Sequence, residues 1–145
     1  YFFSSKERRR PVCSYYFKMK SEFSYLEKDG QHFPMVEVIL EHGARAISVK
    51  ALVDSGASFS VFHPEIAEYL GVKIERGRKI YLTGIGGRIL GYLHTLKLKL
   101  GRKTFRCKIV FSPEFKVSFN LLGRDNFFWP FVISFVEKKR KVILE

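Results

Sequence analysis

The stretch Leu52-Val53-Asp54-Ser55-Gly56-Ala57-Ser58 decides the reading of this chain, because an apolar run carries an Asp straight into a Ser-Gly turn. A carboxylate at the end of a buried β-run is costly to desolvate unless it accepts hydrogen bonds or shares a proton, so its position calls for a partner. Asp, Ser and Gly are also ordinary turn formers, and the tripeptide by itself reads most simply as a plain turn. Two later segments change that. Thr83-Gly84-Ile85-Gly86-Gly87-Arg88 is a glycine-rich tip between Lys79-Ile80-Tyr81-Leu82 and Ile89-Leu90-Gly91-Tyr92-Leu93, which reads as a mobile β-hairpin. Asn120-Leu121-Leu122-Gly123-Arg124-Asp125 then pairs two apolar residues with a glycine that lets another backbone pass close by.

These three segments, in this order, resemble the retropepsins, the aspartic proteases of retroviral type, in their cellular or prokaryotic form. The resemblance covers roughly Phe33 to Phe128, and the three motifs together are far more specific than any one alone. It implies an all-β fold: a single-lobe, retropepsin-like acid-protease barrel with one or two short helices, active as a two-fold symmetric homodimer. The chain holds one Asp-Ser-Gly and one Leu-Leu-Gly in 145 residues, too few for two pepsin-like lobes. An isologous dimer would supply the second Asp54. Two carboxylates about 3 Å apart share one proton, an effect for which aspartic proteases are the standard general example. One Asp54 then serves as base toward a water and the other as acid toward the scissile carbonyl.

The remaining roles are implied by the resemblance. With Asp54, Ser55 and Gly56 form the catalytic turn, Ser55 bonding across the dyad and Gly56 admitting substrate close to the backbone. Ala57 and Ser58 border the substrate, and Ile85, Gly86 and Gly87 close over it as a flap. Leu121, Leu122, Gly123 and Arg124 support the catalytic loop, although Leu121 and Leu122 read as core whatever the function. Many viral members carry Asp where this chain has Ser58, which leaves Arg124 without its expected partner. Viral enzymes also end soon after the second helix, whereas this chain continues from Phe131 to Glu145, so its dimer interface is expected to be built differently.

Composition agrees with one domain. The chain has 15 Phe and 7 Tyr, and short alternating runs such as Leu96-Lys97-Leu98-Lys99-Leu100 predict mainly strands. Residues 1–13 read as a basic tail or linker and 14–145 as the domain. Expected elements are a strand from Tyr15 to Tyr25, a turn at Lys28-Asp29-Gly30, and a hairpin of Phe33 to Leu40 with Arg45 to Val53 turning at Glu41-His42-Gly43. A short helix follows from Pro64 to Leu70, closed by Gly71. The flap hairpin spans Lys79 to Leu93, and another spans Leu96 to Val110, turning at Gly101. A second short helix is expected from Arg124 to Trp129, and a last hairpin joins Phe131 to Val136 with Lys141 to Leu144.

Other chemistries fit poorly. Cys13 and Cys107 form neither a disulfide framework nor a metal-ligand spacing. His32, His42, His63 and His94 are scattered, as locally bonded histidines are, so neither metal nor organic cofactor is expected. The Gly84-Ile85-Gly86-Gly87 stretch lacks the Gly-Lys-Ser/Thr ending of a phosphate loop, and Ser55 has no nucleophile elbow around it. The formal charge of +12, gathered at Lys6 to Arg10, Lys73 to Lys79, Lys97 to Lys108 and Lys138 to Lys141, suits solvated hairpin faces first. A weakly held anionic partner, nucleic acid or membrane surface, is the rival reading. The partners expected are therefore a second copy of the chain and a peptide or protein substrate. A catalytically silent dimerisation, peptide-binding or nucleic-acid-binding module is the alternative function. Tyr1-Phe2-Phe3 before Lys6 to Arg10 resembles the exit of a membrane span, too short to cross one, so the expected location is the cytoplasm, either free or as a membrane-anchored protein's cytoplasmic domain.

Overall fold

The computed structural model describes residues 20–145. The expectations for residues 1–13, for Cys13 and for the start of the Tyr15 to Tyr25 strand lie outside the described residues. Within them that strand is β1, Ser21–Ser24. Asp29 and Gly30 take positive φ of 52° and 75° and close a two-residue hairpin between β2 (Leu26–Lys28) and β3 (Gln31–Phe33).

Pro34 has no N–H to give a ladder, so β4 begins one residue later and spans Met35–His42. It pairs with β5 (Arg45–Val53) through to His42 opposite Arg45, so the turn sits one residue beyond its expected place and Gly43 takes its φ of 58°. After β6 (Ser60–Phe62), the predicted helix is present as α1, Pro64–Leu70. Pro64 stands in the first turn, where no intrahelical donor is needed, and Gly71 ends the helix at φ 72°. Ile66, Ala67 and Leu70 are its buried face.

The flap strand β7 (Arg78–Gly84) pairs with β8, which runs unbroken from Gly87 to Leu100 and also serves the next hairpin with β9 (Lys103–Phe111). The two hairpins expected separately thus share one strand. Strand β10 (Asn120–Leu122) completes a seven-stranded sheet in the order β4-β5-β10-β6-β9-β8-β7. A further pairing of β4 with β8 closes the sheet on itself. Such closure leaves fewer free edges and encloses the core. Val38, Leu40, Leu98, Leu100 and Ile109 meet there with Phe62, Phe111 and Phe127, all fully buried or nearly so. Each such side chain withdrawn from water contributes about 1.5–3 kcal/mol.

The last hairpin, β11 (Ile133–Val136) with β12 (Lys141–Leu144), is formed as expected. Strand β1 adds to its other side, giving a separate three-stranded sheet ordered β1-β12-β11. The second short helix is corrected. Segment Arg124–Phe128 makes one wide turn in which Asp125 (φ −97°, ψ 110°) and Asn126 (φ −116°, ψ 18°) leave helical geometry. Tertiary hydrogen bonds claim this backbone: the Asp125 N–H donates to the Ser58 carbonyl, and the Asn126 side chain bonds the Lys108 N–H and the Arg106 carbonyl. Among the described residues, no helix is long and apolar enough to cross a membrane.

Candidate active site

Strand β10 lies between β5 and β6, parallel to the first (Leu122 beside Val53) and antiparallel to the second (Leu121 beside Val61). The chain therefore leaves β5 on one side of β10 and returns as β6 on the other. The intervening turn, Asp54 to Phe59, arches over the end of β10. Hydrogen bonds fasten it on both limbs: the Asp54 N–H donates to the Leu122 carbonyl at 3.0 Å, and the Ala57 carbonyl accepts from the Arg124 N–H at 2.9 Å. Ser58 accepts from the Asp125 N–H at 2.8 Å, so the turn and the segment beyond β10 run as a short parallel bridge.

Gly123 is required by this crossing. A Cβ there would stand 2.4 Å from the Phe59 carbonyl carbon and oxygen, backbone atoms that cannot swing aside. Its N–H donates to the hydroxyl of Ser60, a fully buried side chain, at 3.0 Å. Ser60 is a supporting residue that sequence reasoning missed; its only signal was a polar residue inside the apolar Phe59 to Phe62 run. Asn120 is a second. Its amide accepts from the His63 N–H and donates to the Lys50 carbonyl, tying the start of α1 to β5 from the residue before the Leu-Leu pair.

Asp54 is half-buried, and its Oδ1 accepts the Gly56 N–H at 2.9 Å, while the Ala57 N–H closes the turn onto the Asp54 carbonyl at 3.2 Å. A carboxylate bonded this way is held in one orientation with its second oxygen free for chemistry. Ser55, Gly56 and Ser58 are exposed on the crown of the turn, with Ala57 half-buried beneath. Behind the turn, Val61, Val110 and Phe115 form a second apolar cluster. Phe59 and Leu121 pack against it from the turn's side, and Ile80, Leu82, Ile89 and Leu93 from one face of the flap hairpin. One cluster thus joins the floor of the site to the root of the flap. At the tip, Gly84 pairs with Gly87, leaving Ile85 and Gly86 as a two-residue loop with Ile85 fully exposed. The structure thus draws Asp54 to Ser58 and Leu121 to Arg124 into one crossing and leaves Ile85, Gly86 and Gly87 on the separate hairpin.

Arg124 is exposed, and no ion pair holds it among the described residues; the neighbouring Asp125 is met instead by the Lys108 ammonium at 3.3 Å. Several other basic side chains of the closed sheet are likewise engaged within the chain. Lys97 pairs with Glu41, Lys103 reaches the Pro130 carbonyl, and Arg106 reaches the Thr95 carbonyl. His42 and His94 bond the carbonyls of Leu70 and Ile74, His32 meets Arg140, and His63 packs on Phe115.

A closed β-structure with an Asp-Ser-Gly turn threaded by a Leu-Leu-Gly strand and faced by a glycine-tipped hairpin defines a retropepsin-like fold. Comparison with known proteins agrees. The family model for aspartyl proteases matches residues 36–126, and the chain belongs to that family. Over 104 residues it is 31% identical to the DNA damage-inducible protein 1 of Neurospora crassa and 30% identical to that of Chaetomium globosum. These matches take in 69% of this chain but only 24% and 23% of those proteins, so the chain spans about a quarter of the length of these curated relatives. Among solved structures, a retropepsin-like aspartic protease from Rickettsia conorii superposes with a TM-score of 0.59 at 24% identity, covering 87% of this chain and 91% of that one. EIAV protease in complex with the inhibitor HBY-793 superposes with a TM-score of 0.52 at 20% identity, covering 69% and 89%. At these identities the structural likeness speaks for the fold.

Proposed function

We propose that this chain is one subunit of a homodimeric aspartic endopeptidase, with the two Asp54 side chains meeting at the two-fold axis. The observation that carries the reading is the placement of Asp54. It stands on a turn fastened on one limb by Leu122 and on the other by Arg124, and among the described residues a single backbone donor holds its carboxylate. The described residues contain one such turn, so a second copy is the natural source of the second carboxylate.

In the dimer the two carboxylates hold one proton between them, since two adjacent charges would repel strongly. The ionised member takes a proton from a water lying between them, and that water attacks the peptide carbonyl carbon. The protonated member delivers its proton to the carbonyl oxygen, giving a tetrahedral gem-diol with no covalent link to the protein. Collapse breaks the C–N bond, with proton return to the leaving amine. Exposed Ser55 hydroxyls bond across the axis, and the flap of Ile85, Gly86 and Gly87 closes over an extended peptide, whose backbone pairs with it and whose enclosure excludes water.

The test is hydrolysis of a denatured protein at acidic and near-neutral pH by the wild type and by Asp54→Asn. Cleavage by the first alone is expected. Equal cleavage by both would falsify the proposal, and binding of peptide without cleavage by either would favour a silent module.

A further inference from the structure

Strand β9 ends at Phe111, opposite Tyr92, so the outer part of β8 toward the flap tip loses its strand neighbour on that side. The loss is made good for one residue only. The Leu90 N–H donates to Glu114 Oε2 at 2.7 Å, and the Leu90 carbonyl accepts from the Ser112 hydroxyl. Both backbone groups that a further strand residue would have satisfied are thus met by two side chains. No side chain among the described residues does the same for Arg88, the next residue facing that way.

The clasp is itself anchored. Ser112 is fully buried, and its hydroxyl accepts the Glu114 N–H at 3.1 Å, which sets the carboxylate's position. The Phe115 N–H closes the turn onto the Ser112 carbonyl, and the Phe115 ring enters the cluster of Val61 and Val110 against which Phe59 of the Asp54 turn and Leu121 of β10 pack. Next to Leu90, Gly91 lies so close to β9 that a Cβ would stand 2.4 Å from Val110 Cγ1. Contact at Gly91 and hydrogen bonds at Leu90 therefore fix one point of the hairpin. Beyond it, among the described residues, the tip from Thr83 to Arg88 is tied only within its own hairpin, through the pairing of Thr83 with Arg88 and of Gly84 with Gly87 and the Arg88 guanidinium over the Tyr81 ring.

We propose that Ser112 and Glu114 clasp Leu90 as the pivot of the flap, which makes Glu114 a positioning residue for substrate capture; the second half of this statement rests on the aspartic endopeptidase reading. Glu114 is exposed, so its replacement spares the core. Glu114→Ala removes the acceptor, and NMR-detected exchange of the Leu90 amide should accelerate by about fivefold, the effect of one hydrogen bond of ordinary net strength. In peptide hydrolysis the same variant should raise KM by a similar factor with kcat little changed, because the flap is held less often in the position that receives substrate. Glu114→Gln, which keeps an acceptor oxygen of the same reach, should restore most of both. Unchanged Leu90 exchange in Glu114→Ala would overturn the clasp. Faster exchange with unchanged KM would overturn the role in capture. A wild type that cleaves nothing would instead sink the peptidase reading together with that role, while the exchange data would still decide whether the clasp exists.

Discussion

Gly123 and Ser60 occupy positions whose importance comes from what passes beside them. Gly123→Ala would press a methyl group into the Phe59 backbone, and the whole Asp54 turn would have to shift. We expect it to abolish cleavage and to lower stability by more than a typical surface change, on the order of 2 kcal/mol or above in denaturant titration. Ser60→Ala leaves the Gly123 N–H buried and unpaired, which costs about 1–3 kcal/mol. Its expected signature is reduced stability with the fold retained, measured by urea unfolding. Cys107 offers a probe of the same neighbourhood. Burial pushes its thiol up to about 12, from an ordinary value of 9.0. The folded protein thus keeps a proton that the unfolded chain releases, and this contribution to stability is whole below pH 9 and is lost as pH rises from about 9 toward 12. A disulfide reagent at pH 8 should leave Cys107 unlabelled until the protein is unfolded, and Cys107→Val should flatten the alkaline fall in stability. Rapid labelling of native Cys107 would contradict its burial.

Among the elements, the flap hairpin shows how a residue-level expectation sharpens when geometry is known. Both Gly86 and Gly87 stand in the tip, yet only Gly87 takes a positive φ, 109°, which a β-branched residue adopts at a cost of roughly 1–3 kcal/mol. Gly87→Val should therefore slow peptide turnover several-fold, while Gly86→Val, where open space surrounds the Cβ, should have the smaller effect. Steady-state kinetics of the two variants side by side would check this order. The hairpins were legible in sequence because Gly43, Gly87 and Gly101 punctuate alternating runs, and α1 because Pro64 and Gly71 bracket it. The short strands β6 and β10 were not. Three residues carry no period, and their pairing is set by segments far along the chain. The same limit explains the failed helix at Arg124: Pro130 offered a stop for a short helix, but the backbone there is spent on Ser58 and the Asn126 side chain on β9. At the candidate site, motif spacing singled out Asp54 and Gly123, which the fold brings into one crossing, whereas Ser60 showed only as a polar residue in an apolar run and Ser112 and Glu114 make contacts that no local pattern announces.

For the whole molecule, the proposed shared dyad makes activity a property of the assembly. Specific activity should fall on dilution below the dimer dissociation constant, as mass action requires, and a mixed dimer with one Asp54→Asn subunit should lose most of its turnover. Full activity in a species shown by sedimentation to be monomeric would exclude the shared dyad. The terminal sheet bears on how that assembly comes into being. Ser21 pairs with Leu144 through β1 and β12, and Val142 and Leu144 are buried in the main core beside Tyr25. A growing polypeptide that has not yet reached residue 144 cannot close this sheet, however long its earlier strands have been available. On the ribosome the Asp54 turn is therefore translated while the main core still lacks Val142 and Leu144, so that, on the endopeptidase reading, cutting waits until those last core residues have been made.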